Sequence, residues 1–202
     1  MMPALLGSMR VLSFDPAAPS AELATADLLE RLRQGDSRAL GEAYDQHHQA
    51  VRAFAGRLVG DNAAAEDLVH EVFVSLPRAA RRFRGDSPLR SFLIGIAIQL
   101  ARHHVRSASR RRAALARLSA EPERAVRSPE ASASERLLVE AVQRALDQLP
   151  LEQRVAFVLC DVEERSSVEA AELVQAPEAT LRTRLFHARR KLRAALEKGG
   201  FR

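Results

Sequence analysis

Cysteine is almost absent from this chain of 202 residues, which contains only Cys160, and tryptophan is missing altogether. One thiol cannot close an internal disulfide or build a cysteine-based zinc site. No apolar run approaches the ~18 residues of a membrane-spanning helix, and the N-terminal segment is a poor signal peptide. We therefore expect a cytoplasmic protein without membrane insertion. Cys160 lies in the apolar run VAFVLC, which favours a buried structural thiol.

Lysine is also scarce, since Lys191 and Lys198 are the only lysines among 31 basic residues. The placement of charge is more informative than the bias toward arginine. Residues 76–112 carry ten arginines against the single Asp86, and residues 178–202 carry eight basic residues against two acidic ones. The rest of the chain is net acidic. Two separated basic blocks favour two nucleic-acid contact surfaces.

Residues 166–196 have the pattern of two helices around a tight turn. Ser166 and Glu169 fit the Ser-x-x-Glu capping box, which predicts a helix starting at Ser167. Pro177 fits the first position of a second helix, which is basic outside an apolar stripe of three- and four-residue spacing. This pattern is typical of the helix-turn-helix, whose second helix enters the DNA major groove. The alternative is a solvated charged helix at a chain end.

Nearly all of the remaining chain has helical periodicity, and no strand pattern competes with it. The predicted helices cover residues 25–34, 37–59, 63–83, 88–106, 135–149 and 151–161. Serine and proline between residues 107 and 134 indicate a linker. The predicted fold is all-α, with two small helical domains joined by a flexible linker, the second containing the helix-turn-helix. The expected divisions are a flexible N-terminal extension at 1–24, a first domain at 25–110, a linker at 111–134 and a second domain at 135–202.

Two parts of the sequence carry specific motifs. Residues 82–93 read RFRGDSPLRSFL and follow AEDLVHEVF at 65–73, and the C-terminal part runs from LDQLPLEQRVAFVLCDVEERS to PEATLRTRLFHARRKL. In this order they resemble the two domains of the extracytoplasmic-function group of bacterial RNA polymerase sigma factors. The resemblance implies a sigma factor that directs promoter recognition, promoter melting and transcription initiation. The partners it implies are core RNA polymerase, promoter DNA and an anti-sigma factor.

The resemblance also implies roles for three sets of residues. The acidic and apolar helix of the first domain corresponds to the polymerase-docking surface, with Asp67, Leu68, Glu71, Val72, Phe73 and Leu76. The next loop and helix correspond to the part that melts and reads the minus-ten element, with Arg84, Asp86, Ser87, Arg90, Phe92, Gln99, Arg102, His103 and Arg106. The basic helix of the second domain corresponds to the reader of the minus-thirty-five element, with Thr180, Arg182, Thr183, Arg184, Phe186, His187, Arg189 and Arg190.

The chemistry of these residues agrees with such roles and leaves some alternatives open. Reading an unstacked base takes a pocket and a cationic track, and the arginine fork matches guanine or phosphate. The docking helix could equally be an amphipathic core helix, and Phe92 could belong to the core. Arg184 and Arg190 could face other protein instead of DNA.

The sequence departs from the pattern of the group at several positions. Gln175 stands where the turn between the two helices normally has glycine, and Glu164-Arg165 replaces a usual Gly-Leu. A left-handed residue other than glycine costs roughly 1–2 kcal/mol, so the turn is either strained or different in geometry. Pro77 lies inside a helical pattern, where proline costs ~3 kcal/mol. We predict a continuous helix bent near residues 73–76.

Other function classes explain less of the sequence. A dimeric helix-turn-helix regulator that acts without polymerase is the main alternative, but it leaves the motif at residues 82–93 unused. An enzyme would need a catalytic or metal cluster, and adjacent histidines such as His47-His48 and His103-His104 do not share a helix face. We therefore expect no enzymatic activity, no cofactor, no metal and no small-molecule substrate.

Overall fold

The computed structural model describes residues 19–83, 85, 87–115 and 133–200, with side chains described over 25–83, 85, 87–105 and 139–200. Every regular element in these ranges is helical. The helices are α1 (Pro19–Arg33), α2 (Ser37–Val59), α3 (Asn62–Ala80), α4 (Leu89–Leu115), α5 (Ala133–Asp147), α6 (Leu151–Phe157), α7 (Ser167–Val174) and α8 (Glu178–Lys198). A π turn at Val158–Val162 continues α6. The all-α prediction is confirmed.

Local capping groups set the helix boundaries of the first unit. The Asp36 carboxylate accepts a 2.8 Å hydrogen bond from the Arg38 amide at the start of α2. Gly60 ends α2 in the left-handed region at φ 71°. Asp61 then caps α3 by accepting from the Ala64 amide at 3.0 Å. These turns lie where the sequence predicts them.

Helices α1 to α4 form the first unit. The fully buried large side chains of this unit come from all four helices, with Leu32, Val51, Phe54, Leu58, Leu68, Val72, Leu76, Leu93, Ile94 and Ile98. Arg33, at the end of α1, donates to the carbonyl oxygens of Ala80 and Phe83 at 3.1 and 2.7 Å. It thereby satisfies backbone acceptors at and just beyond the C-terminus of α3.

Helices α5 to α8 form the second unit, in which α8 lies against α5, α6 and α7. The side of α8 that faces these helices is apolar, with Leu181, Leu185, Ala188 and Leu192 buried. Their spacing of four, three and four residues places them on one stripe of the helix. The opposite side of α8 is therefore available to solvent.

The two units pack against each other. Helix α4 lies against α6 and α7, and α2 lies against α5 and α6, so buried apolar residues of both units form one continuous core. Arg154 is buried at this boundary and donates to the Leu58 carbonyl oxygen at 2.5 Å and to the Asp147 carboxylate at 3.1 Å. A Cβ atom on Gly60 would come within 2.2 Å of Asp147 Oδ1. Position 60 therefore needs glycine for close approach as well as for its backbone angle.

Several helix boundaries differ from the predicted ones. Helix α4 continues to Leu115, so residues 107–115 are helical and not part of a loop. Arginine and alanine at 110–114 favour helix more than the two preceding serines oppose it. Helix α1 begins six residues before Thr25, at Pro19, and α3 ends at Ala80 instead of residue 83. The extension at 1–18 and linker residues 116–132 lie outside the described residues.

Candidate nucleic-acid interface

A capped helix and a tight turn fix the base of the helix-turn-helix. The Ser166 and Glu169 side chains each accept from the other residue's backbone amide, which forms the predicted capping box. Gln175 ends α7 in the left-handed region, at φ 55° and ψ 49°. Its amide donates to the Glu172 carbonyl oxygen, and the Ala176 amide donates to that of Ala171. These two bonds are a Schellman ending, so the turn has its usual geometry with a strained glutamine in place of glycine.

A basic face of α8 points away from the protein. Arg182, Phe186, Arg189 and Arg193 recur at spacings of four, three and four and are all exposed. The Phe186 side chain is 62% exposed, which is unusual for a large aromatic residue in a soluble protein. An exposed ring between arginines can contact bases while the guanidinium groups contact phosphate or guanine.

Most arginines on α8 already have a partner. Arg182 pairs with Glu178, one turn earlier, at 2.5 Å. The guanidinium of Arg190 lies 5.9 Å from the centre of the Phe186 ring, within cation–π range. Arg184 turns inward and pairs with Glu152 of α6 at 2.9 Å. Arg184 therefore faces protein, which is one of the two alternatives that the sequence left open for it.

Three other predicted residues of α8 lie outside this exposed face. Thr183 is exposed and donates from its hydroxyl to the Ala179 carbonyl oxygen at 2.9 Å. Thr180 and His187 are half-buried, and the His187 ring lies 5.5 Å from the ring of Phe186. Of the predicted readers, the exposed face of α8 thus brings together Arg182, Phe186 and Arg189, with Thr183 and Arg190 beside it. Thr180, Arg184 and His187 lie away from this face.

Helix α4 carries the second group of predicted contacts. Ser87, Gln99 and His103 are exposed. Arg90 and Arg102 are half-buried and pair with Glu163 and Glu152 of the second unit. Arg84, Asp86 and the side chain of Arg106 lie outside the described residues.

Phe92 belongs mainly to the core. Its ring stacks on Phe83, with 4.2 Å between the ring centres, and packs against the buried cluster of the first unit. The ring is partly accessible, so one edge remains for a contact outside the core.

Helix α3 presents the two acidic side chains of the predicted docking set to solvent. Asp67 is exposed, and Glu71 is partly exposed and contacts His104 Nε2 at 2.9 Å. The exposed Val74 lies one turn beyond Glu71. This surface combines negative charge with one apolar side chain, as a protein-binding surface does.

Comparisons with known proteins agree with both halves of the chain. Residues 43–111 match sigma-70 region 2 and residues 139–192 match sigma-70 region 4. The RNA polymerase sigma-H factor of Pseudomonas aeruginosa is 30% identical over 178 residues, which cover 84% of this chain and 92% of that protein. The ECF RNA polymerase sigma-E factor of Escherichia coli K12 is 28% identical, over 84% of this chain and 93% of that protein. The chain belongs to the extracytoplasmic-function group of sigma factors.

A solved structure shows the same fold. The sigma factor RpoE from Bartonella quintana, in complex with the anti-sigma factor NepR, superimposes with a TM-score of 0.66. The match covers 78% of this chain and 96% of that chain, at 23% identity. As a sigma factor, the chain acts with RNA polymerase in promoter recognition, and the reading as a repressor independent of polymerase is not favoured.

Four of the residues predicted to dock on polymerase are not surface residues. Leu68, Val72, Phe73 and Leu76 are at most 4% exposed, because the apolar stripe of α3 packs into the core of the first unit. The amphipathic-helix alternative is correct for these side chains. Within the predicted docking set, the sigma factor presents only Asp67 and Glu71 to a partner.

Sequence reasoning missed three acidic residues that hold the arginines of the sigma factor. Glu152, Asp161 and Glu163 pair with arginines 28 to 106 residues away in the chain. These three residues lie in the net acidic part of the sequence between the two basic blocks. This alternation of charge is the one sequence signal that they could pair with the arginines. No local motif identifies such partners, because the spacing between them is set by the packing of the helices.

The described part of the chain contains no helix both long and apolar enough to cross a bilayer. Cys160 is half-buried against the core, and burial, together with the nearby Asp161, raises the pKa of its thiol. The thiolate form is therefore disfavoured, which agrees with a structural thiol.

Proposed function

We propose that the exposed face of α8 reads the minus-thirty-five element and that α4 with its preceding loop reads the minus-ten element. The observation that carries the proposal is the outward basic face of α8, held on a helix-turn-helix in the same chain as a region 2 domain. Arg182 and Phe186 stand where a recognition helix touches base edges. Arginines farther along α8 suit phosphate contacts.

We further propose that Asp67 and Glu71 of α3 contact core RNA polymerase. The test is the double variant Asp67→Arg/Glu71→Arg in the full chain, with affinity for core polymerase as the readout. We expect a clear loss of affinity with unchanged helicity, because the variant reverses the charge of the surface.

Two control variants make this test specific. Asp45→Arg/Glu197→Arg makes the same change of charge on exposed residues outside α3, and it should leave affinity unchanged. His104→Ala removes the 2.9 Å contact between Glu71 and His104 without changing the charge of α3, and it should also leave affinity unchanged. If the α3 variant binds polymerase as tightly as the parent chain, this docking surface is wrong.

An anti-sigma factor is a further proposed partner. RpoE from Bartonella quintana has the same fold in complex with such a protein, and the acidic and basic surfaces described above suit a partner that competes with polymerase or DNA. We place the chain in the cytoplasm, where bacterial RNA polymerase and the chromosome are found. We assign it no catalytic activity, since its role is to position DNA and polymerase.

A further inference from the structure

One carboxylate of the second unit is held by arginines of the first. Glu163, just after the π turn, accepts a 2.5 Å hydrogen bond from Arg90 of α4. Arg57 of α2 lies 3.6 Å from the same carboxylate, and the charge of Glu163 also acts on the neighbouring Arg165. The Glu163 side chain is only 10% exposed. A single negative charge thus attracts several converging cations at the boundary between the units.

A second carboxylate joins the two proposed DNA-reading helices. Glu152 of α6 accepts from Arg102 Nε and Nη2 of α4, both at 2.8 Å. The same carboxylate lies 2.9 Å from Arg184 Nη1 of α8. Arg102 also donates to the Val174 carbonyl oxygen, at 3.2 Å, at the end of α7. The fork of Arg102 is therefore fully engaged by the second unit.

We propose that Glu152 and Glu163 form an intramolecular docking surface that occupies Arg90 and Arg102 of α4 and keeps the chain closed until DNA or polymerase separates the units. A carboxylate and a phosphate bind the guanidinium fork in the same way, so Arg102 cannot hold Glu152 and a DNA phosphate through the same donors. This inference rests on the proposed function, because it takes Arg90 and Arg102 of α4 as DNA contacts.

Glu152 and Glu163 stabilise the closed state through different arginines. Without the charge of Glu163, Arg57 and Arg90 would face each other near the boundary with no anion between them, and their repulsion would favour separation. Without the charge of Glu152, both Arg102 and Arg184 lose their anionic partner. The exposed face of α8 is not covered in the closed state, so the masking falls mainly on α4.

The expected effect on DNA binding follows from the populations of the two states. If DNA binds only the open state, the apparent dissociation constant is the intrinsic one divided by the open fraction. A closed state favoured by about ten to one would weaken DNA binding about tenfold, and loss of the two charges would restore most of that factor.

The test uses the full chain with the two substitutions Glu152→Gln/Glu163→Gln. The matched control is Glu172→Gln/Glu197→Gln, which removes two negative charges from exposed positions of the same unit. Fluorophores on Ala53→Cys of α2 and Val168→Cys of α7, in a Cys160→Ser background, report the distance between the units. We expect longer and broader distances in the docking-surface variant only, with helicity and thermal unfolding showing that every variant is folded.

DNA binding by the same proteins completes the test, with a short random-sequence duplex and a short random single strand as probes. The docking-surface variant should bind both several-fold more tightly than the control variant. Unchanged distances, or opening without a gain in affinity over the control, would overturn the inference. A variant that opens and binds DNA more tightly, but fails to direct transcription with core polymerase, would contradict the proposed function and uphold the closed state.

Discussion

The guanidinium of Arg189 donates two hydrogen bonds, 2.8 and 2.5 Å long, to the carboxylate of Asp161. Hydrogen bonding to Asp161 raises the pKa of Arg189, although the arginine side chain remains 55% exposed. The bond ties the middle of α8 to the π turn that follows α6. Arg189 is thus oriented on the exposed basic side of α8, with part of its charge already neutralised.

Removing this partner should strengthen electrostatic binding to DNA. We expect Asp161→Asn to bind duplex DNA of any sequence more tightly and to steepen the dependence of log affinity on log salt concentration by about 0.9, as one added phosphate contact would. A salt titration of binding measures both effects. Glu197→Gln, which removes one exposed negative charge, is the control, and an equal effect in both variants would contradict a specific role for Asp161.

Arg182 and Arg189 should differ in the kind of defect they cause. Arg182→Ala should relax preference at one base of the upstream element by ~1–3 kcal/mol if its fork holds a guanine. Arg189→Ala should weaken binding to all sequences alike, because a phosphate contact carries no sequence information. Binding to a set of single-base promoter variants separates these outcomes. The same base-selective defect in both variants would refute the division of roles.

Two non-glycine residues in the described part of the chain have left-handed backbones, and both stand where the sigma-factor group usually has glycine. They are Glu164 at φ 54° and Gln175 at φ 55°. Gln175→Gly should relieve ~1–2 kcal/mol of strain and lose ~0.4–1 kcal/mol to the greater freedom of the unfolded chain. We expect a net stabilisation of up to about 1.6 kcal/mol in urea unfolding.

A glycine in an ordinary helical position provides the control for that measurement. Gln49 is exposed in the middle of α2, so Gln49→Gly should destabilise by ~0.5–1 kcal/mol. Glu164→Gly should change the unfolding free energy in the same direction as Gln175→Gly, since the φ angles of the two residues are nearly the same. Destabilisation by both substitutions at the left-handed positions would show that these side chains contribute more than the strain costs.

Burial, together with the nearby charge of Arg90, lowers the pKa of His47 from its ordinary value of 6.5. The folded chain therefore takes up the proton less readily than the unfolded chain. The stability that His47 contributes is complete above pH 6.5 and is lost as the pH falls from there toward the lowered pKa. We expect the unfolding free energy of the parent chain to fall more than that of His47→Gln between pH 8 and about 5.5. Parallel curves for the two proteins would rule out this linkage.

Local features of the fold were predictable because neighbouring residues determine them. The Ser166–Glu169 capping box and the turn at Gly60 need only a few residues in sequence, and both are present. The pairing of Glu152 with Arg102 spans fifty residues and depends on how α4 and α6 pack. Phe73 shows what the sequence of one helix leaves open. The spacing of its apolar residues identifies an apolar face, but it does not say whether the chain's own core or a partner protein covers that face.

At Pro77 the sequence predicts both the continuity of helix α3 and a bend in it. Helix α3 runs through it without a break and ends three residues later, at Ala80, so the predicted continuity is confirmed. Proline has no amide hydrogen to donate to the carbonyl of Phe73 and its ring crowds the preceding turn, so a bend near residues 73–76 remains our prediction. The bend would set the direction of Arg78 relative to the acidic surface around Glu71.

Replacing Pro77 tests whether this arrangement matters for function. Pro77→Ala should restore one helical hydrogen bond and so stabilise the chain. The cost of proline in a helix interior is ~3 kcal/mol, and the gain should be smaller than that here because Pro77 lies in the last turn of α3, where helices fray. If the bend positions Arg78, the variant should also bind core polymerase or melt promoter DNA differently from the parent. Arg78→Ala, which leaves the proline in place, separates loss of the arginine from a change in its direction. An alanine variant at position 77 with unchanged stability, or a helix axis that is straight through the proline, would show that Pro77 imposes no bend.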